Sequence, residues 1–354
     1  MHVPDGFINA PVSVAAGVVA AGAVAVSLRG ARRELDERTA PLAGLVAAFI
    51  FAVQMLNFPV AAGTSGHLLG GALAAILVGP YTGVLCVSVV LLMQGILFAD
   101  GGLTALGVNI TVMAVVTSVV AYATFRGLVK VLPKKRRSVT VSAFVAAAIS
   151  VPAAALAFTL VYAIGGTTDV PIGRVLTAMV GVHVLIGLGE AAITAFTVGA
   201  VIAVRPDLVH GARGLTRKLQ LRVGGELVDV APAAAPQPEP ASSHRTRNVW
   251  LTGLAASLLL AGVVSFYASA SPDGLEKVAA DKGIDAKVED HAAADSPLAD
   301  YGVEGISDGR LSGGLAGVIG VGVTVVAGTG VFWAVRRRRT DEAPSAAATP
   351  TASV

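Results

Sequence analysis

The chain has 354 residues, of which 54% are hydrophobic and only 14% are charged, and its formal net charge is +3. Its mean hydropathy is +0.74, and several apolar runs reach the roughly 18 residues with which a helix begins to span a membrane. These values exclude a soluble chain. Because lipid offers no partner to backbone polar groups, and the long Ala/Val/Leu/Gly runs do not alternate like barrel strands, the sequence predicts an all-α polytopic membrane protein.

Nine apolar segments follow one another along the chain, seven before residue 221 and two after it. They lie near 8–28, 41–59, 67–79, 81–98, 103–125, 139–164, 174–204, 248–268 and 311–335. The single cysteine, Cys86, falls within one of them. It allows no internal disulfide and no cysteine-based metal site, and we interpret it as a small buried hydrophobic residue.

The basic residues favour one side of the membrane. If the N-terminus is outside, 21 of the 26 Lys and Arg residues fall in the inside segments, clustered at 29–38, 126–137, 205–247 and 336–339. Cytoplasmic loops carry such an excess. The sequence therefore predicts an outside N-terminus and an inside C-terminus. The basic balance follows from this bias and does not indicate nucleic-acid binding.

The chain begins with Met1-His2, which offers three nitrogens to one metal ion. The α-amine and the His2 amide close a five-membered chelate ring, and the amide and His2 Nδ1 close a six-membered ring. Planar nitrogen coordination suits Ni(II) and Cu(II), and Co(II) also accepts imidazole. Positive charges follow the first apolar segment instead of preceding it, so that segment does not resemble a secretory signal. Since His2 is too bulky to favour removal of Met1, we expect a free amine on the outer side.

His67 is predicted to open a short helix over 67–79, which ends at Gly79-Pro80. At 1.5 Å per residue such a helix spans roughly 20 Å, too little to cross the membrane alone. Short, Gly/Pro-interrupted segments point to transporter binding sites. The positive end of the helix would favour a neutral imidazole, the form that binds metal. The predicted topology puts His67 on the side of Met1-His2, where it can supply the fourth ligand.

Of the other histidines, His183 lies within a segment seven residues before Glu190, so the two share a helical face. Ionisable residues inside the membrane are functional candidates by default, and a structural hydrogen-bonded pair is an equal alternative. The remaining three are expected at polar surfaces: His210, His244 and His291.

Composition divides the chain into four parts: 1–221, a Pro/Ala-rich linker at 222–246, a two-segment module at 247–339, and a tail at 340–354. The linker is expected to be extended and the tail disordered. The loop from about 269 to 310 holds ten acidic residues. It is either an ordinary solvated loop or an electrostatic collector of cations.

Several ordered motifs resemble one family over about residues 1–210. They are MHVPDGF at the N-terminus, QMLNFPVAAGTSGHLLGGALAAILVGP at 54–80, QGILFADGGLTALGVNI at 94–110 and HVLIGLGEAAIT at 183–194. These resemble the CbiM/NikM family, the substrate-binding membrane component of cobalt or nickel energy-coupling-factor ABC transporters. The motif PDGLE at 272–276 resembles the small CbiN/NikN-like accessory component, here fused to the first part.

The resemblance implies a square-planar site made by the Met1 amine, the His2 amide and imidazole, and His67. Polar residues within or beside the motifs could orient these ligands or simply bond helices together. They are Asn57, Ser65, Gln94 and Asn109. It also implies separate ATPase subunits, a transmembrane coupling subunit and a bacterial or archaeal plasma membrane, with Co2+ or Ni2+ as transported substrate and no organic cofactor.

Two other functions stay open from the residues alone. The chain has no G-x-x-x-x-G-K-[ST] loop, so it does not bind ATP in that manner. An intramembrane metalloenzyme would use His67, His183 and Glu190, but no H-E-x-x-H or nucleophile–base arrangement supports it. An ion-coupled exchanger without an ATPase would usually carry several buried carboxylates, and Glu190 is the only clear one.

Overall fold

The computed structural model describes residues 1–36, 39–61, 63–215, 220–223, 226–229 and 243–341. The described part is largely helical, with two short antiparallel strand pairs. Its helices are α1 (Ala10–Glu34), α2 (Thr39–Gln54), α3 (Gly71–Val78), α4 (Pro80–Leu97), α5 (Leu106–Asn109), α6 (Thr117–Val131), α7 (Arg136–Gly165), α8 (Ile172–Val204), α9 (Ser243–Gly262), α10 (Gly274–Lys282) and α11 (Gly309–Asp341). A π-helical stretch, Ile110–Val116, connects α5 to α6. The strands are β1 (Phe58–Ala61) with β2 (Thr64–Gly66), and β3 (Gln220–Val223) with β4 (Glu226–Asp229).

The all-α membrane architecture predicted from composition is confirmed. Seven helices in the described residues are long and apolar enough to cross a membrane. They are Ala10–Glu34, Pro80–Leu97, Leu106–Val131, Arg136–Gly165, Ile172–Val204, Arg247–Tyr267 and Gly309–Arg337. The other two predicted segments form shorter helices, because α2 has 16 residues and α3 has eight.

Local sequence sets the ends of these helices. The Asn9 side chain accepts a hydrogen bond from the Val12 amide and caps α1, as asparagine commonly does. Gly79 ends α3, and Pro80 begins α4 directly after it. Proline suits a first helical position because its missing N–H would have no helical partner there. The chain therefore reverses between two apolar helices within a single residue.

The prediction that a helix begins at His67 is wrong. Helix α3 begins at Gly71, and His67 lies in an irregular stretch between β2 and that helix. Gly70 has φ +88°, a left-handed conformation that a right-handed helix excludes and that glycine tolerates. His67 is therefore held by its neighbours and not by the positive end of a helix.

The helices of the C-terminal module pack directly on the preceding part. α11 and α9 lie against α2, and the short α10 lies against α8 and β2. Phe51 of α2, Phe98 after α4 and Phe332 of α11 are fully buried. The two parts of the chain consequently share one hydrophobic core.

The connecting segments gather at two opposite ends of the bundle. One end collects residues 1–9, 55–70, 98–105, 165–171 and 268–308, which are joined by backbone hydrogen bonds such as Ser65 N to Pro272 O and Asp300 N to Phe98 O. The other end holds the α1–α2 and α8–β3 connections, where Arg213 donates to the Glu34 carbonyl. We call the first of these the site end.

Two parts of the predicted domain plan fall partly outside the described residues. The strands β3 and β4 and the start of α9 lie in or beside the expected linker 222–246, whose residues 230–242 are not described. Helix α11 continues to Asp341, beyond the start of the expected tail at residue 340, and residues 342–354 are not described.

Candidate metal centre

The free N-terminus is buried at the site end. Met1 is 3% exposed, and its amine nitrogen lies 2.5 Å from His67 Nε2. The amine also donates a hydrogen bond of 2.5 Å to Asp273 Oδ2. Asp273 Oδ2 lies 3.4 Å from His67 Nε2. One amine, one imidazole and one carboxylate therefore meet at a single point.

The imidazole of His2 stands beside this cluster. Its ring stacks on that of His67, with centroids 5.1 Å apart and an angle of 15° between the planes. His2 Nδ1 lies 3.2 Å from Asp100 Oδ1, and His2 Nε2 lies 3.2 Å from Gln94 Oε1. Burial lowers the pKa of His2 to about 4, despite the opposing charge of Asp100. The imidazole is therefore neutral near pH 7, as metal ligation requires.

Hydrogen bonds on both sides of the first residues fix their path. Asn109 Oδ1 accepts from the Val3 amide at 2.8 Å, and Asn109 Nδ2 donates to the Val3 carbonyl at 3.1 Å. Asp5 Oδ1 accepts from the Thr104 amide at 2.8 Å. Since these bonds lie within four residues of Met1, they set the position of the amine.

A buried carboxylate holds the stretch that follows His67. Glu190 is fully buried in α8 and accepts hydrogen bonds from the amides of Leu69 at 2.6 Å and Gly70 at 3.2 Å. His67 Nδ1 lies 3.0 Å from the Leu68 carbonyl. A proton on Nδ1 bonds that carbonyl and leaves the Nε2 lone pair directed at the amine, the usual arrangement of a metal-binding histidine.

His183 and Glu190 are both buried but do not bond to each other. His183 Nδ1 lies 2.7 Å from the Met179 carbonyl, and its Nε2 has no hydrogen-bond partner. The alternative of a structural hydrogen-bonded pair is therefore wrong. Glu190 instead acts on the His67 segment. The metalloenzyme arrangement, which needed His67, His183 and Glu190 together, has its carboxylate already engaged by the Leu69 and Gly70 amides.

The PDGLE motif forms a capping box at the start of α10. Asp273 Oδ1 accepts from the amides of Leu275 and Glu276, and the Glu276 side chain accepts from the Asp273 amide. The other oxygen, Oδ2, faces the Met1 amine. A Cβ added at Gly274 would lie 2.8–3.1 Å from Ile186, Val182 and His183. Glycine therefore permits the close approach that brings Asp273 to the amine.

Sequence reasoning missed three residues of this site, namely Asp273, Asp100 and Tyr301. The Tyr301 hydroxyl donates to Asp100 Oδ2 at 2.5 Å and accepts from Gln94 Nε2 at 2.9 Å. For Asp273 a local signal was present, because D-x-x-E before an apolar residue is the signature of a capping box. For Tyr301 the chain offers no local signal, since its partners lie about 200 residues away.

The four polar residues expected to orient ligands have different roles. Gln94 contacts His2, and Asn109 holds Val3. Ser65 instead donates to the Ser271 carbonyl at 2.7 Å and fastens the PDGLE segment. Asn57 lines the adjoining cavity, and its backbone carbonyl accepts from the Ser269 amide.

A cavity of about 1260 Å³ adjoins the cluster and is bordered by both parts of the chain. His2 and His67 line it. So do six acidic residues, Asp100, Asp273, Glu276, Asp285, Asp300 and Asp308, against Arg310. Among the described residues, no group of three or more His, Cys, Asp or Glu side chains could hold a metal by itself. A metal site here would therefore need the backbone nitrogens of the N-terminus.

Comparison with known proteins decides the family. The model of the cobalt uptake substrate-specific transmembrane region, CbiM, matches residues 2–208, and that of the PDGLE domain matches residues 247–337. The chain belongs to the CbiM family. Its C-terminal module carries a PDGLE domain, and the fusion expected from the motifs is confirmed.

Relatives and solved structures agree with this assignment. A putative metal transport protein of Haloquadratum walsbyi is 40% identical over 59% of this chain and 93% of its own length. A putative fused nickel transport protein, NikMN, of Archaeoglobus fulgidus is 38% identical over 66% of this chain and 76% of its own. The crystal structure of a truncated transition metal transporter superimposes with a TM-score of 0.51 at 26% identity, covering 57% of this chain and 99% of that one.

The family and the helices together define the class of the protein. It is a multi-pass membrane protein and a component of a transport system, not an enzyme. The cluster at the site end lies within the part that matches the CbiM model, except for Asp273 and Tyr301, which come from the PDGLE domain.

Proposed function

We propose that the protein is the metal-selecting membrane component of an uptake system for cobalt or nickel. The ion is bound by the Met1 amine, the His2 amide and Nδ1, and His67 Nε2. The cargo enters at the site end, which we assign to the outer face, in keeping with the basic residues at the opposite end. The family assignment and the names of the relatives support the class of cargo.

The observation that carries this proposal is the contact between Met1 N and His67 Nε2 at 2.5 Å. Two nitrogens bound at right angles to one ion, each about 2.0–2.1 Å away, are separated by about 2.9 Å. The pair is thus within a few tenths of an ångström of the spacing of neighbouring ligands. The stacked ring of His2 lies alongside, so a small rearrangement brings four nitrogens around one ion.

Charge balance favours a divalent cargo. The metal-free site holds one ammonium, which is paired with the buried carboxylate of Asp273. Binding of M2+ displaces one proton from the amine and one from the His2 amide, so the loaded chelate also carries one net positive charge. The same carboxylate balances both states. Each ion is exchanged for two protons, and affinity therefore falls with falling pH.

The acidic cavity supplies a route to the site. Its six carboxylates face a single arginine, and clustered charge of one sign raises the local concentration of counter-ions. We assign this role to the acidic loop of the PDGLE domain. Release on the inner side is driven by separate ATPase subunits and a transmembrane coupling subunit.

The division of labour follows the four sequence parts. Residues 1–221 form the metal-binding membrane domain, and residues 247–339 form the two-helix accessory module. Residues 222–246 link them, and residues 340–354 are the tail. The extents of the two family matches, 2–208 and 247–337, support this division.

The test is uptake of labelled Co(II) and Ni(II) into cells that express the chain with its partner subunits. The native chain is compared with one that carries Gly-Ser between the initiator methionine and Met1. The small glycine allows removal of the initiator, so a Gly-Ser extension replaces the free Met1 amine by an amide. A two-residue extension is needed because a single residue would create X-X-His, itself a planar four-nitrogen ligand.

We expect the extended chain to lose uptake of both metals. The matched control carries Gly-Ser at the C-terminus and should transport normally. Normal uptake by the N-terminally extended chain would refute the N-terminal chelate.

A further inference from the structure

A closed ring of four side chains surrounds the imidazole of His2. His2 Nε2 contacts Gln94 Oε1 at 3.2 Å, and Gln94 Nε2 contacts the Tyr301 hydroxyl at 2.9 Å. That hydroxyl contacts Asp100 Oδ2 at 2.5 Å, and Asp100 Oδ1 lies 3.2 Å from His2 Nδ1. Tyr301 comes from the PDGLE domain, whereas the other three belong to the part matched by CbiM.

The chemistry of each group sets the direction of every hydrogen bond in this ring. A carboxylate can only accept, so the single proton of the Tyr301 hydroxyl goes to Asp100. The hydroxyl oxygen must then accept from the Gln94 NH2 group. The Gln94 carbonyl oxygen is thereby turned toward His2 and accepts a proton from Nε2.

We propose that Tyr301 is a positioning residue that selects the Nε2–H tautomer of His2 and so leaves Nδ1 free for the metal. This inference rests on the proposed N-terminal chelate and assigns to the accessory domain a specific part in forming it. Without the hydroxyl, Gln94 can rotate its amide. Asp100, having lost a donor, then captures a proton on Nδ1, the atom that the chelate needs.

The backbone holds Tyr301 firmly in this position. Asp300 and Tyr301 both adopt left-handed conformations, with φ of +52° and +56°, and Ala99 opposite them has φ +54°. Such conformations in residues other than glycine cost energy and persist where the surroundings enforce them, often at functional sites. The Tyr301 ring stacks on Phe98 with centroids 4.9 Å apart, and the Asp300 amide donates to the Phe98 carbonyl.

The test uses the full chain with Tyr301→Phe, which removes the hydroxyl and keeps the stacked ring. Histidine is labelled with 15N, and magic-angle-spinning NMR on the metal-free protein in lipid reports which ring nitrogen carries the proton. The His2 signals are assigned by their loss in His2→Ala. We expect native His2 to be protonated on Nε2 and the variant to show protonation on Nδ1. Ni(II) affinity should fall by about 10–100-fold, as for other groups that orient metal ligands.

Ser296→Ala is the matched control. Ser296 donates to the Leu97 carbonyl at 2.6 Å from the same acidic loop but does not touch the ring around His2. It should leave both the tautomer and the affinity unchanged. Gln94→Met breaks the same link from the other domain and should reproduce the effect of Tyr301→Phe.

An unchanged His2 tautomer in Tyr301→Phe would overturn the proposal, whether or not the affinity falls, because a purely structural contact would not move the proton. Failure of the N-terminal chelate itself is distinguishable. In that case the Gly-Ser extension at the N-terminus would leave uptake intact, whereas the NMR result on the metal-free protein would stand separately.

Discussion

The part of the chain that matches CbiM and the PDGLE domain contribute different chemistry to the same site. The first supplies nitrogen: the Met1 amine, the imidazole of His2 and that of His67. The second supplies oxygen: the Asp273 carboxylate against the amine and the Tyr301 hydroxyl behind Gln94. Nitrogen ligands suit cobalt and nickel better than calcium or magnesium. The difference suggests that the first part selects the ion and the second sets the charge and orientation of the ligands.

The largest effect is expected from removal of a nitrogen ligand. In His67→Ala the fourth corner of the plane is lost, and Ni(II) affinity of the purified full chain should fall by more than about 100-fold. The imidazole makes few other polar contacts, so the variant should stay folded in the membrane. Unchanged affinity in a binding titration would remove His67 from the site.

A smaller effect is expected from the carboxylate that holds the His67 segment. Glu190→Ala leaves the Leu69 and Gly70 amides without their buried acceptor, so His67 is no longer fixed beside the amine. Ni(II) affinity should fall by about 10–100-fold, as for other groups one step removed from a metal.

Glu190→Gln keeps one acceptor oxygen and serves as the control, with a milder loss. If alanine and glutamine variants both bind like the native protein, Glu190 has no part in placing His67.

Asp273 distinguishes a counter-charge from a ligand. Asp273→Asn keeps an oxygen for the cap of α10 but removes the ion pair to the amine, which should cost roughly 3 kcal/mol of stability. Because the site carries one positive charge with and without the metal, both states lose the same partner. The midpoint of thermal unfolding should therefore drop in both, while the affinity for Ni(II) changes by less than about tenfold.

A loss of affinity as large as that of His67→Ala would instead make Asp273 a metal ligand. It would also remove the separation between the nitrogen-supplying and oxygen-supplying parts.

The smallest effect is expected in the acidic cavity. Asp285→Asn with Asp308→Asn should slow Ni(II) uptake by a few-fold at low ionic strength, and the difference should disappear in high salt because screening weakens steering. Asp290→Asn with Asp295→Asn removes the same charge from positions that do not line the cavity. Equal slowing by both pairs would mean that the loop acts only through its total charge.

The sequence was sufficient for the helices and for the meeting of Met1 with His67. Apolar length located nine segments, and the predicted topology placed the two residues at one end, where the structure brings them together. The start of α3 was wrong because it depends on Glu190, 120 residues from Gly70. Tyr301 was out of reach because its role depends on Gln94 and Asp100, which only the packed chain brings to it.

Absorption at the Ni K-edge of the Ni(II)-loaded full chain tests the central claim most directly. The account predicts a planar shell of four nitrogens at about 2 Å, with no carboxylate oxygen and no sulfur in the shell. Addition of Gly-Ser before Met1 should abolish that spectrum. A six-coordinate, oxygen-rich shell, or a spectrum that survives the extension, would contradict it.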